Sequence, residues 1–343
     1  MSRIYRADTM TQLHEDLCRA LVFSTWDELD LVTSVDVHLH HVLATADSMD
    51  WEFDLKSMWL TKSRWSMMAR QYIDPEQLVE WVSKTAALIG LKGRGNSVLR
   101  TNVVKPRGGA AAGNKETRRW GSCMISLSYR ALPKPQITLH SRTSYVGYLG
   151  GLDMSVAWMC ARYLAQAMGV DVKSFSFVWY NEAMQFHNFK CLAYMLNHPD
   201  PDMRKQFRRL LMKPEKKLKV KDHQVLETCP ALSMSRKWLQ NMMEMDTDGR
   251  HLGTMTYNTY RRIRRRYHTE VLGYEYAQTQ EGWSVYKTGP KAGEPKEYFK
   301  AYQPLPSVMI SDLDFTPIGL PLAGLPPVEF EGADEDEDED DGE

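Results

Sequence analysis

CMISLSYRALPKPQITLHSRTSYVGYLGGLDMSVAWMCARYLAQAMGVDVKSFSFVWYNEAMQFH, residues 123–187, is the stretch on which the fold reading turns. Three short runs in it are rich in β-branched and aromatic residues and lie between turn-forming residues. They are Met124-Ile125-Ser126-Leu127-Ser128-Tyr129, Gln136-Ile137-Thr138-Leu139-His140 and Phe175-Ser176-Phe177-Val178-Trp179, and each predicts a strand. Between the last two, Asp153 to Met168 has the spacing of a long amphipathic helix that stops at Gly169. Strands and helix mixed in this way predict an α+β architecture, a mixed sheet packed with helices.

Working outward, the apolar spacing from Thr9 to about Leu91 is mostly helical. Leu13, Leu17 and Leu21 form one stripe, and Leu78, Trp81 and Val82 follow a helix-start signal at Asp74-Pro75-Glu76. Helices are therefore expected to dominate the N-terminal quarter. Ser97 to Val104 reads as a strand, and the Gly- and Ala-rich stretch Gly108 to Gly113 as a surface loop.

Past His198 the chain turns polar and basic, with runs at Arg204 to Lys221 and Arg261 to Arg266 that read as solvated faces of a helical C-terminal extension. Residues 303–330 are Pro-rich, and Asp334 to Glu343 is acidic apart from Gly342, the composition of a disordered tail. The expected division is a core over 1–198, a basic helical region over 199–302, a Pro-rich extension over 303–332 and an acidic tail over 333–343.

A chain of 343 residues with 43% apolar content and 10 Trp is long and apolar enough to bury a sizeable core, which excludes disorder as its main state. The formal net charge of −1 hides an asymmetry, because without the acidic tail the remainder is basic and suits an anionic partner. Its five cysteines are far apart, without a CxxC pair, which points to reduced thiols in a cytoplasmic setting and to no metal site. No signal-peptide run and no long uncharged apolar stretch is present, so no membrane association is expected.

Cys123, Ser141-Arg142-Thr143, Leu149-Gly150, Asp153, the helix through Trp158, Phe177-Val178-Trp179 and Gln185-Phe186-His187 follow one another in an order and spacing that resembles the central block of the thymidylate synthase superfamily. In character the chain is most similar to the phage deoxycytidylate hydroxymethylases. The resemblance implies a thymidylate synthase-like sheet and a homodimer. It also implies one-carbon transfer from 5,10-methylenetetrahydrofolate to C5 of a pyrimidine deoxynucleotide.

In that chemistry a thiolate adds to C6 of the ring and makes C5 nucleophilic, the role that falls to Cys123. Arg142 and Thr143 stand where the family binds the 5′-phosphate, which a guanidinium fork and a hydroxyl suit. Arg100 is the candidate for a phosphate contact donated by the partner subunit. Gln185 and His187 replace the family's His-x-Tyr base and sugar contacts, and Glu76 and Glu80 are the candidates for its catalytic carboxylate.

Asp153 bears on the base. An ionised carboxylate accepts from cytosine N4 but cannot match the O4 acceptor of uracil, and cytosine-specific relatives carry Asp at this place. The same residue is also expected to start its helix as an N-cap. The expected reaction is therefore hydroxymethylation of dCMP. C5-methylation of dCMP or dUMP, and a synthase-like protein that binds nucleic acid through its basic helices, are the competing readings.

Overall fold

The alternation between Cys123 and His187 is realised as a mixed sheet whose two central strands run parallel. The computed structural model describes residues 3–29, 31, 32, 36–58, 62, 65, 69, 72–101, 123–187, 191–245 and 307–313. The strands are β1 (Arg3–Thr9), β2 (Leu31–Val32), β3 (Asp36–Ser48), β4 (Asn96–Arg100), β5 (Met124–Arg130), β6 (Gln136–Tyr145) and β7 (Ser176–His187). The α-helices are α1 (Met10–Phe23), α2 (Pro75–Lys92), α3 (Gly151–Ala167), α4 (Leu192–Leu196), α5 (Pro201–Met212), α6 (Val220–Thr228) and α7 (Pro230–Met245). The sheet order is β1-β3-β7-β6-β5-β4, with the short β2 paired to β3. Pairs β1–β3 and β6–β7 are parallel and the others antiparallel, so the architecture is α+β with a mixed sheet packed by helices.

The N-terminal quarter departs from the helical expectation, since β1 and the 13-residue β3 lie within it. The reason is a break of phase. Val37 and Leu39 are buried, then Val42, Ala44 and Ala46, and the shift falls at His41, whose φ of 54° is left-handed. A single residue in that conformation interrupts the period-2 pattern by which a strand is read. The helix-start signal behaves as its chemistry requires: Asp74 caps α2, its carboxylate accepting from the N–H groups of Glu76 at 2.9 Å and Gln77 at 3.3 Å. The strand expected over Ser97 to Val104 is seen as β4, ending at Arg100, and residues 102–122, with the Gly108 to Gly113 loop, lie outside the described residues.

On one face of the sheet the side chains are buried in alternation: Ile137, Leu139 and Ser141 on β6, and Phe177, Trp179, Asn181 and Ala183 on β7. Helix α3 packs on β6 and on α2, and its first ten residues, Gly151 to Cys160, are all buried, as for a helix enclosed on all sides. Its start is close-packed. A Cβ added to Gly151 would stand 2.4 Å from the ring of Phe53, so only glycine allows this approach.

Across residue 198 the packing is continuous. Phe207, Leu210, Leu211, Leu226, Leu232, Trp238 and Leu239 of α5, α6 and α7 belong to the same buried cluster as the sheet and α1. Part of the Pro-rich stretch is anchored too, with Ile310 N–H donating to Phe53 O at 2.8 Å and Leu55 N–H to Val308 O at 3.0 Å. The basic run 261–266 and the acidic tail lie outside the described residues. No helix among the described residues is long and apolar enough to cross a membrane.

Candidate active site

Strands β6 and β7 are parallel, so their C-terminal ends meet at one edge of the core, with Thr143 beside Ala183 and Tyr145 beside Gln185. Cys123 enters this edge from the start of β5, where its carbonyl accepts from the Arg142 N–H at 2.8 Å. The ladder between β5 and β6 is irregular between Met124 and Ser126, directly after the cysteine. A bulge of this kind re-aims the neighbouring side chain. Here the Cys123 sulfur lies 3.5 Å from the Thr143 hydroxyl, which donates to it.

Exposure separates Cys123 from the other cysteines. Cys18, Cys160, Cys191 and Cys229 are buried, whereas Cys123 is half-buried. Burial pushes the thiols of Cys18, Cys160 and Cys229 up, away from the reactive thiolate. Arg142 is exposed beside Cys123, and its guanidinium makes no hydrogen bond or ion pair among the described residues, which leaves it available to an anion. Arg118 and Arg119, which precede Cys123 in sequence, lie outside the described residues.

Asp153 is not the helix cap that the sequence predicts. Helix α3 begins two residues earlier, at Gly151, after a π-type turn over Val146–Gly150, and its N-cap Gly150 makes no side-chain bond. The carboxylate turns instead to β6, where Oδ2 accepts from the Ser144 hydroxyl at 2.7 Å. Asp153 is 1% exposed and its Oδ1 has no hydrogen-bond partner. Desolvation raises its pKa from 3.8 to about 7, against the smaller opposing effect of the Ser144 bond. A buried carboxyl poised near neutrality with one free oxygen is able either to accept or, when protonated, to donate.

The remaining expected residues are distributed unevenly. Gln185 is half-buried on β7 at this edge, and His187 closes the same strand, its side chain lying outside the described residues. Arg100 is exposed at the end of the edge strand β4. Glu76 and Glu80 are both exposed on α2, away from Leu78, Trp81 and Val82, which face the core. Glu80 is held by Lys84 at 2.6 Å in an exposed pair.

Two buried polar residues that sequence reasoning missed lie in this part of the sheet. Ser144 fixes Asp153, and Asn181, 2% exposed on β7 beside Ser141, carries an amide nitrogen with no partner. Neither had a distinctive signal, since a Ser after Arg-Thr and a lone Asn in a strand are both ordinary. Compared with protein-family models and with curated proteins, the chain matches none.

Proposed function

We propose that the chain transfers a one-carbon unit to C5 of a pyrimidine deoxynucleotide, with dCMP as substrate and a hydroxymethyl group as product. The observation that carries the reading is the convergence at one sheet edge of three groups. These are a half-buried cysteine under a threonine hydroxyl, an exposed arginine, and a buried carboxyl with one unpartnered oxygen. The order of these residues along the chain, which resembles that of the thymidylate synthase superfamily, supports the same assignment.

In this reading Arg142 and Thr143 bind the 5′-phosphate, and the free Asp153 Oδ1 accepts from cytosine N4. The Cys123 thiolate adds to C6, and the electron pair released toward C5 makes that carbon the nucleophile. 5,10-Methylenetetrahydrofolate supplies the carbon at the aldehyde oxidation level, and no described residue is assigned to holding it. Glu76 and Glu80, exposed on α2, are the candidates for the proton-transfer role. Incubation of the protein with dCMP and methylenetetrahydrofolate is expected to give a product heavier than dCMP by the mass of CH2O. A gain of CH2 would establish the methylase alternative, and an unchanged nucleotide would overturn the reading.

The sheet's second face supports the homodimer. Leu43, Val98, Val178, Tyr180, Thr138 and His140 line a shallow depression there of about 470 Å³, with Val98 58% and Tyr180 48% exposed. Large apolar side chains in such a row favour a protein partner, and a second copy would cover them and bring Arg100 against a neighbour. Sedimentation at micromolar concentration is expected to give a dimer, and Arg100→Ala to lower dCMP affinity. An active monomer would remove the proposed role of Arg100.

A further inference from the structure

We propose that the outer surface formed by α5, the 3-10 turn Glu215–Lys217 and the start of α6 docks double-stranded nucleic acid, holding it by its phosphates without reading sequence. Between Arg204 and Lys221 the chain carries nine Lys and Arg against one carboxylate, Glu215. Cations on a solvated helix face are ordinarily balanced by carboxylates one turn away, as Lys84 is by Glu80 on α2. Here, among the described residues, one cation of the nine is balanced: Arg209 pairs with the buried Asp222 of α6 at 3.0 Å. Lys205, Arg208, Lys216, Lys217, Lys219 and Lys221 are exposed, and none has a described carboxylate within ion-pair reach.

The charge sits on a fixed surface. Phe207, Leu210 and Leu211 bury the opposite face of α5 in the core. The buried Arg236 of α7 donates to Leu210 O at 2.6 Å and Lys213 O at 2.9 Å, satisfying carbonyls at the C-terminal end of α5. The Arg209–Asp222 pair holds the first turn of α6 against the last turn of α5, and Asp222 Oδ2 also accepts from the Lys219 N–H at 3.1 Å. Arg208 is the neighbour of one partner in this pair and Lys221 of the other, so cations of both helices gather at the joint. Their mutual repulsion is relieved, and their counterions are released, when a polyanion lies across them.

The composition of the surface selects the partner. Val220, 77% exposed, is the large apolar side chain that this run exposes, and the run exposes no aromatic ring. Binding in a membrane surface draws on apolar anchors beside the cations, and a protein interface has aromatic side chains at its centre and few lysines. Single strands are held largely by stacking of bases on aromatic rings. Clustered lysines without rings suit the phosphates of a duplex, which position a protein without specifying sequence. The formal charge of the whole chain is −1, so the attraction belongs to this surface.

The inference is independent of the one-carbon reading and is tested apart from it. Fluorescence anisotropy of a labelled DNA duplex, and of an RNA duplex of the same sequence, is followed from about 0.05 to 0.3 M salt. The proteins compared are wild type, a variant combining Lys205→Gln, Lys216→Gln, Lys217→Gln and Lys221→Gln, the same four positions changed to Arg, and a control combining Lys84→Gln with Lys92→Gln on α2. Wild type is expected to bind with log K falling linearly in log salt, and the duplex bound more tightly identifies the polymer. The four Gln changes are expected to weaken binding at least about tenfold at 0.1 M salt and to flatten the slope by about two to four. The Arg variant and the α2 control are expected to bind as wild type does, and thermal melts confirm that all of them are folded. Equal weakening by the Gln variant and the α2 control overturns the proposal, as does polyglutamate bound as tightly as either duplex. Wild type that binds phosphatidylserine vesicles and neither duplex also overturns it, and assigns the surface to a membrane instead.

Discussion

Cys123→Ser and Cys123→Ala are expected to lower turnover of dCMP by at least about a thousandfold while leaving its dissociation constant within a few-fold of wild type. The two halves of this expectation have different origins. Turnover needs a sulfur nucleophile, and Cys123 is the half-buried cysteine, reached by the Thr143 hydroxyl at 3.5 Å and placed by the backbone bond from Arg142. A serine hydroxyl in its place ionises far less readily than a thiol. In the proposed reading, binding depends on the Arg142 guanidinium and the Asp153 carboxyl, which the substitution leaves in place. The other cysteines offer no substitute, being buried, with the thiols of Cys18, Cys160 and Cys229 pushed up. The measurement is a single-turnover assay alongside calorimetric titration with dCMP. Activity above a few per cent of wild type in either variant would remove Cys123 from the nucleophile role, and loss of binding equal to the loss of turnover would show a collapsed site instead.

What could be read from residue order depended on how regular each element is. Strands β5, β6 and β7 were legible because their apolar residues alternate with one period for several pleats, and helix α3 because its long apolar run is closed by Gly169, although packing buries its first turns on all sides. Strand β3 was not, because the left-handed His41 moves burial from Val37 and Leu39 to Val42, Ala44 and Ala46. The site divides in the same way. Cys123, Thr143 and Arg142 are brought together as neighbours on adjacent strands, a proximity their order along the chain suggested. The identity of Asp153 was informative but its geometry was not. Capping preference assigned it to a helix end, whereas the helix starts two residues earlier, at Gly151, which packs against the ring of Phe53 more closely than a Cβ would allow. Glu76 and Glu80 show the converse, a local sequence likeness on a helix face that tertiary packing leaves exposed.

Asp153→Asn is expected to shift substrate preference from dCMP toward dUMP by about tenfold to a hundredfold in kcat/KM, corresponding to roughly 1–3 kcal/mol for a hydrogen bond left unmade. In the proposed reading the carboxylate accepts from cytosine N4, whereas an amide in its place offers N–H to uracil O4. In wild type the same discrimination is expected to depend on pH. The folded-state pKa of Asp153 stands at about 7, above the usual 3.8 of an unfolded chain. At pH 8 the ionised carboxylate favours dCMP, and below about pH 6 the protonated carboxyl donates and admits uracil, so the dCMP-to-dUMP ratio rises with pH through neutrality. Stability carries the opposite sign. Because folding raises this pKa, the favourable contribution is complete below pH 3.8 and is lost as pH rises through about 7. The ionised form is then disfavoured in the folded protein by about 4 kcal/mol. The Asn variant is free of that penalty, so its melting temperature should exceed that of wild type at pH 8 and approach it near pH 4. Both nucleotides are compared on wild type and variant at one folate concentration, with thermal melts of each across the same pH range. A stabilised variant whose base preference does not move would identify Asp153 as a buried acid held by Ser144 for packing alone, and a wild type that already prefers dUMP would overturn the assignment of cytosine.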